Sequence, residues 1–234
     1  MKLVLCALAL AVSLSMSVDI TSSGEGTSGT NWQASDGEVV MWEQLPSGNP
    51  QGSQYFTDRY PDADAGVADD IMFSSSTTAN KIRWWGDYFN NGGAPGPVVA
   101  PVEIYLYLDD GTGTSPTLPQ HTSAIQSWMI PVGDYDEIAD RDCWLCTYEF
   151  PEWVVFDANV KYWIEIRKAF PFDPYGQYGF EESEGGFLAP CVQGFDGLYI
   201  PWWTPQDAGA AFVLIWDDAL ALNSSTWGDI KTIF

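Results

Sequence analysis

The chain has 234 residues, of which 32 are acidic and 9 are basic, and its formal net charge is −23 at neutral pH. A field of that sign repels a phosphate backbone and an anionic membrane surface, which makes nucleic acid a poor partner and excludes anionic lipid. Calcium, cationic surfaces and neutral glycans remain compatible with it, and the simplest role of the charge is to keep the protein soluble.

A signal peptide is predicted over residues 1–17. Lys2 supplies a minimal basic region, Leu3 to Leu14 form a short apolar stretch, and Ser15-Met16-Ser17 is a small-x-small cleavage site. No later stretch reaches the ~20 apolar residues that a membrane span needs, so we expect no membrane insertion after cleavage. The predicted location is therefore secreted or at the extracellular cell surface.

The rest of the chain is predicted to divide into a leader, one domain and a tail. Residues 18–38 are rich in Ser, Thr and Gly, which is typical of a flexible leader. Residues 39–216 are dense in β-forming residues broken by turn clusters, and their length suits one large β domain. Residues 217–234 form a tail whose last part is compatible with a short amphipathic helix or a recognition signal.

An acidic run at 62–70 is the strongest candidate for a metal site. Calcium prefers carboxylate and carbonyl oxygens presented by a loop, and this run offers spaced Asp residues around a glycine. Asp207 would complete the shell if the first and last strands were neighbours. The residues predicted to hold calcium are Asp62, Asp64, Asp69, Asp70 and Asp207. The alternative is a solvated acidic turn in which Asp69 or Asp70 accepts backbone N–H groups.

Four β-strands are predicted, and in two of them the alternation of apolar and polar residues also assigns the faces. The strand at 101–108 turns Val102, Ile104, Leu106 and Leu108 to one side, and the strand at 160–167 turns Val160, Tyr162, Ile164 and Ile166 inward. The segment 81–89 is an aromatic-rich strand, and 210–216 is apolar enough to be central. Short strands with frequent turns between them predict an all-β fold, either a sandwich or a barrel.

The opposite faces of these strands combine aromatic rings with charged groups. If the strands at 81–89, 101–108 and 160–167 are neighbours, the rings form a strip with charges between them, as in a glycan-binding sheet. The residues of this predicted ligand-binding strip are Arg83, Trp85, Glu103, Tyr105, Tyr107, Trp163, Glu165 and Arg167. The alternative is a face covered by a loop, where cross-strand aromatic pairs only stabilise the sheet.

Three cysteines remain after cleavage, at positions 143, 146 and 191. Export favours a disulfide, and we predict a bridge from Cys143 or Cys146 to Cys191 that leaves one thiol over. The C-x-x-C spacing alone does not predict a redox site, because no βαβ pattern surrounds it.

Three segments carry recognisable motifs. Val67-Ala68-Asp69-Asp70-Ile71 is ADDF-like, with Ile71 in place of the aromatic residue; Tyr162 to Ile166 follows the pattern YWxxI; and the segment 207–214 is a loose DxAFxL. Together they resemble the opening strand, an internal strand and the closing strand of a class of bacterial exported β-sandwich domains of jelly-roll type. The resemblance implies an antiparallel jelly-roll sandwich with a binding, adhesive or structural role and no catalytic residues.

Three functions are therefore considered. The first is a non-catalytic adhesion or carbohydrate-binding module, which needs the aromatic strip exposed. The second is a structural envelope or filament component with calcium-stabilised loops. The third is a glycanase or lyase, which needs Glu103 and Glu165 to face each other across a cleft without Arg167 pairing with them. His121 lies in a Pro/Thr-rich loop and is predicted to be solvated.

Overall fold

The structure is a computed structural model that describes residues 32–58, 64–90, 96–118, 120–183, 185, 188–196 and 203–218. Two β-sheets face each other within these residues, which confirms the predicted all-β sandwich. The signal peptide and nearly all of the predicted tail lie outside the described residues. Within the described part of the chain, no helix has the length and apolar character to cross a bilayer.

Sheet A contains eight strands, and its longest path runs in the order β1-β15-β5-β11-β14. Its strands are β1 Glu38–Glu43, β2 Pro46–Gly52, β5 Thr77–Phe89, β8 Asp136–Asp140, β9 Cys143–Phe156, β11 Gln177–Ser183, β14 Gly209–Ala210 and β15 Phe212–Asp217. Strand β15 lies between β1 and β5, so the prediction that this apolar segment is central is confirmed. Its side chains are buried on both faces, which explains why its sequence does not alternate.

Sheet B contains seven strands in the order β13-β12-β4-β3-β10-β6-β7, with a further pairing between β4 and β10. Its strands are β3 Gln54–Phe56, β4 Asp64–Met72, β6 Val102–Leu108, β7 Gln126–Ile130, β10 Lys161–Phe170, β12 Val192–Asp196 and β13 Thr204–Pro205. A short helical turn, α1 Phe172–Tyr175, follows β10. The pairing is antiparallel except between β3 and β10, and jelly-roll connectivity stays a prediction.

The main core lies between the two sheets and follows the predicted alternation. Val102, Ile104 and Leu106 of β6 are buried there with the alternate residues of β10. Leu108, predicted to point inward, is 39% exposed because it lies at the end of its strand. Smaller apolar clusters cover the outer face of each sheet, so both sheets are buried on both sides over part of their area.

The domain begins earlier than predicted. Trp32 packs edge-on against Trp85 on the outer face of sheet A, with 6.1 Å between ring centroids. Glu38 opens β1 and binds both Lys81 and Arg83. Residues 32–38, assigned from composition to a flexible leader, are therefore part of the packed structure.

Candidate functional site

The predicted ligand-binding strip is divided between the two sheets. Arg83 and Trp85 lie on β5 of sheet A, whereas the other six residues lie on β6 and β10 of sheet B. Trp85 is fully buried beneath Trp32 and donates its indole N–H to Asp140 Oδ2 at 2.8 Å. The single strip predicted from the sequence is therefore wrong, because alternation assigns a side chain to a face but does not identify the neighbouring strand.

Arg83 links β5 to β1 through an ion pair with Glu38. Its guanidinium binds both carboxylate oxygens of Glu38, at 2.7 and 2.8 Å. Burial alone would raise the pKa of Glu38, but the hydrogen bonds from Arg83 and Lys81 outweigh it and lower the pKa to about 2. This carboxylate contributes stability that is present above the unfolded-state pKa of ~4 and is lost as the pH falls toward 2.

The six remaining residues form three cross-strand pairs on the outer face of sheet B. These pairs are Tyr107 with Trp163, Tyr105 with Glu165, and Glu103 with Arg167. Their common face was predicted correctly, and of the two readings of its exposure the structure agrees with a covered face. Trp163 and Tyr107 are fully buried and Tyr105 is 7% exposed, because Trp203 and the 188–192 segment pack over them.

A loop that we call the strap, residues 117–125, also folds over this face and is described except at position 119. His121 on the strap contacts the ring of Tyr105, and its Nε2 lies 3.0 Å from Glu165 Oε1. Its backbone N–H donates to the Tyr107 hydroxyl at 3.1 Å. The prediction that His121 is solvated is therefore wrong, and no spacing or periodicity in the sequence indicated this partner.

Glu165 is the central group of the cluster. It is completely buried and accepts a 2.6 Å hydrogen bond from the Tyr107 hydroxyl in addition to its contact with His121. Burial, and then the charge of Glu165, raise the pKa of Tyr107 well above its usual value, so the phenol stays protonated and donates.

Arg167 occupies the margin of the same face. Its Nε donates to Glu103 Oε2 at 2.5 Å, and its guanidinium lies 5.3 Å from the ring of Tyr55 and 5.5 Å from that of Tyr105. Glu103 also accepts a hydrogen bond from the Tyr105 hydroxyl at 3.1 Å. Tyr55 is 38% exposed, whereas Arg167 and Tyr105 are buried, so the Tyr55 ring is the member of this group that reaches solvent.

The acidic run does not form the predicted metal-binding loop. Residues 64–72 are strand β4, so successive side chains point to opposite faces of sheet B. Asp64 accepts the Phe56 N–H at 2.7 Å, and Asp70 binds Lys161 Nζ at 2.5 Å and two further backbone N–H groups. Asp207 is exposed, and Asp62 lies outside the described residues. Among the residues that the structure describes, no group of three or more metal-ligating side chains occurs.

Asp69 connects the two sheets. Its Oδ2 accepts the Ala210 N–H from β14 at 2.6 Å, and the Gln44 amide, placed with its nitrogen toward Asp69, donates to the same oxygen at 2.7 Å. Burial is the main cause that raises the pKa of Asp69 from 3.8 to about 8, although the hydrogen bond from Ala210 opposes it. The native state therefore holds a proton on Asp69 that the unfolded chain releases near pH 4.

We expect the free energy of unfolding to fall as the pH rises from about 4 to about 8, because the native state binds the extra proton over this range. Asp69→Asn removes one titrating group and should reduce the slope, and it should be less stable than the wild type near pH 4, since its NH2 group cannot accept an N–H as a carboxyl oxygen does. Urea denaturation across this range measures the difference. Asp207→Asn, an exposed carboxylate, is the control and should retain the wild-type slope; identical slopes for both variants would contradict the assignment.

The predicted disulfide is absent. Cys143, Cys146 and Cys191 are all free and buried. Cys146 and Cys191 lie in the main core, whereas Cys143 lies in the cluster on the outer face of sheet A. Burial raises the pKa of all three thiols well above the usual value, so they remain protonated and act as small apolar side chains.

A buried lysine, Lys168, and the groups around it were not predicted from the sequence. Lys168 has no exposed surface, and its Nζ donates to both carboxylate oxygens of Glu137, at 2.8 and 2.7 Å. It also donates to the Tyr88 hydroxyl and lies over the rings of Tyr88, Tyr135 and Tyr178 at 5.1 to 5.4 Å. Lys168 lies on the same inward face of its strand as Ile166, so alternation could have assigned it to the interior. The strand was predicted to end at residue 167, one position too early.

Most of the described basic residues are paired with carboxylates within the fold. Five of them form ion pairs with carboxylates: Lys81, Arg83, Lys161, Arg167 and Lys168. Among the described residues, Arg141 is the one exposed cation, against thirteen exposed Asp and Glu residues. The exposed charged groups in the described part of the chain are therefore almost all negative.

Comparison with known proteins finds no matching family model, no similar curated protein and no similar solved structure. The two facing sheets and the excess of carboxylates define the chain as an acidic β-sandwich. The evidence for its function therefore comes from its own side chains.

Proposed function

We propose that this chain is a non-catalytic binding or adhesion module of the cell exterior that contacts a glycan at the outer face of sheet B. The observation that carries the proposal is the Tyr55 ring, which is 38% exposed at the edge of that face and lies 5.3 Å from the Arg167 guanidinium that Glu103 orients. An exposed ring held in place from below suits the apolar face of a sugar.

The state of the two glutamates supports a non-catalytic role. Glycoside hydrolysis needs one carboxyl group free to give a proton and a second free to act on the sugar or a water. Here Glu103 is bound to Arg167, and Glu165 is bound to Tyr107 and His121 beneath the strap. Both groups therefore have partners that hold the fold together.

A glycan array tests this proposal, with the bound glycans then measured by calorimetry. We expect Tyr55→Ala to weaken binding by about tenfold or more, because one stacking ring is worth on the order of 1–3 kcal/mol in comparable aromatic contacts. Trp153→Ala, which removes an exposed ring (51%) from β9 of sheet A, is the control and should bind as the wild type does. Wild-type protein that binds no glycan, or that releases reducing ends from a polysaccharide panel, would rule the proposal out.

A structural envelope or filament component is the second candidate. It is favoured by the exposed carboxylates, thirteen of them among the described residues, which would allow divalent cations to bridge neighbouring copies. Light scattering with millimolar calcium, compared with sodium chloride at equal ionic strength, distinguishes this role. Reversible assembly that appears with calcium alone would favour it over the binding module.

A further inference from the structure

The outer face of sheet B continues past Tyr55 into an open groove. Tyr55 on β3 pairs with Ala169 on β10, and the Ala169 N–H donates to the Pro101 carbonyl at 3.0 Å. A groove of about 400 Å³ begins at Ala169 and Pro101, and its other lining residues include Val99, Pro171, Thr57 and Tyr175. This volume lies within the range of small-molecule sites. The exposed Tyr55 ring is therefore next to a space that could hold part of the same ligand.

Prolines explain why the groove lies here. In an antiparallel ladder the bonded pair after Ala169 and Pro101 would be Pro171 with Val99, and Pro171 has no N–H to donate. Val99 is 75% exposed between two buried neighbours, so it continues the alternation of β6. Its N–H and C=O make no backbone hydrogen bond within the described part of the chain. The ladder between β6 and β10 therefore ends here, and backbone groups are left open to a ligand.

A second exposed ring and a hydroxyl group line the groove. Tyr175, in the turn after β10, is 42% exposed, and its ring packs at 85° to that of Phe170 with 6.3 Å between centroids. Thr57 is also exposed, and its hydroxyl has no hydrogen-bond partner among the described residues. Thr57 lies two residues after Tyr55, which is about 7 Å along an extended chain. One sugar on Tyr55 and a second in the groove would therefore be neighbours in a single oligosaccharide.

The groove offers no cation to an anionic ligand. Its lining residues carry no charge, and Asp58 and Asp173, which flank lining residues in the chain, are exposed carboxylates. Arg167 and Lys168 of β10 are buried in ion pairs. Arg141, the one exposed cation in the described ranges, lies in the turn between β8 and β9 of sheet A. A uronate or sulfated sugar would be repelled here, whereas a neutral sugar would not.

We infer that Tyr55 and the groove form one site for a neutral, unbranched oligosaccharide, in which one sugar stacks on Tyr55 and the next enters the groove beside Tyr175. Pyranose rings joined through equatorial bonds are flat and present apolar faces to both tyrosines. Their hydroxyl groups bond the Thr57 hydroxyl and the open backbone groups of Val99. The inference rests on the proposed function and specifies its ligand class.

Calorimetric titration with neutral β-1,4-linked hexamers of glucose, xylose and mannose tests the ligand class. The matched acidic probes are the glucose and mannose hexamers oxidised at C6 to uronates, which have the same linkage and a negative charge on each sugar. We expect at least one neutral hexamer to bind and its uronate form not to bind. The hexamer should also bind about tenfold or more tightly than its monosaccharide, because only a longer chain contacts both rings.

Two variants test the groove separately from Tyr55. Tyr175→Ala should weaken binding of the hexamer by about tenfold or more, because a stacking ring is lost. Thr57→Val keeps the shape of the side chain but removes its hydroxyl, and should weaken binding by about fivefold. Thr122→Val, an exposed change on the strap, is the matched control and should bind as the wild type does. Circular dichroism and the melting temperature show whether each variant is folded.

Equal or tighter binding of a uronate form would overturn the inference, and so would full affinity in both Tyr175→Ala and Thr57→Val. Self-association of the wild type that is lost in Tyr175→Ala would assign the groove to a second copy and would also overturn it. If a glycan binds and depends on Tyr55 but not on the groove, the inference fails and the proposed function stands. If no glycan binds, both fail.

Discussion

Raising sodium chloride from about 10 mM to about 1 M is expected to raise the melting temperature by on the order of 10 °C, which corresponds to a few kcal/mol for a chain of this size. The reason is the distribution of charge: thirteen described carboxylates are exposed and only Arg141 is an exposed cation. Salt screens their mutual repulsion, which destabilises the compact state. Scanning calorimetry at several salt concentrations measures the effect.

Two exposed acids of sheet A, Glu43 on β1 and Glu152 on β9, provide the control for this prediction. Glu43→Gln together with Glu152→Gln removes two negative charges, so the variant should melt higher than the wild type in low salt and similarly in high salt. The buried ion pairs are poorly screened and should not reverse the trend. A melting temperature that is flat or falls with salt would show that surface repulsion does not limit stability.

Replacing Lys168 with Met is expected to destabilise the protein by about 3–5 kcal/mol, because it leaves the Glu137 carboxylate without its cation in a buried site. At roughly 2–4 °C per kcal/mol, the melting temperature should fall by about 10 °C. The three tyrosine rings around the ammonium would lose their cation–π contacts as well. Thermal and urea denaturation measure the loss.

The double variant Lys168→Met with Glu137→Gln separates the ion pair from the packing. Removing both charges should restore most of the lost stability, since the main penalty of the single variant is an unpaired buried charge. Ser127→Met, at an exposed position of β7, should change stability by less than about 0.5 kcal/mol. A single variant that melts within a degree of the wild type would show that Glu137 finds another partner or is protonated at little cost.

Strands with clear alternation were predicted well, and the reason is local. In β6 and β10 every second residue is apolar, so Ile104 and Ile164 could be placed in the core from the sequence alone. Strand β9 was missed, because Pro151 and the Cys143–Cys146 segment interrupt any regular period. Covered outer faces also make alternation a poor guide to exposure, as Trp85 and Trp163 demonstrate.

The sites depended on contacts between distant segments, and these were not predictable from one sequence. Asp69 and Asp70 were grouped as one loop site, but a strand sends them to opposite faces. His121 lies in a loop without periodicity, and its position over Glu165 depends on how the loop after β6 folds back.

The three separate, protonated thiols have a practical consequence for how this protein is made. No covalent link between Cys143, Cys146 and Cys191 joins the sheets, so acquiring the native state does not require an oxidant or an isomerase. Recombinant material from a reducing cytosol should be equivalent to exported material. If all three cysteines are replaced by alanine or valine, the change in stability should depend on how well the new side chains fill the core, because no covalent cross-link is lost.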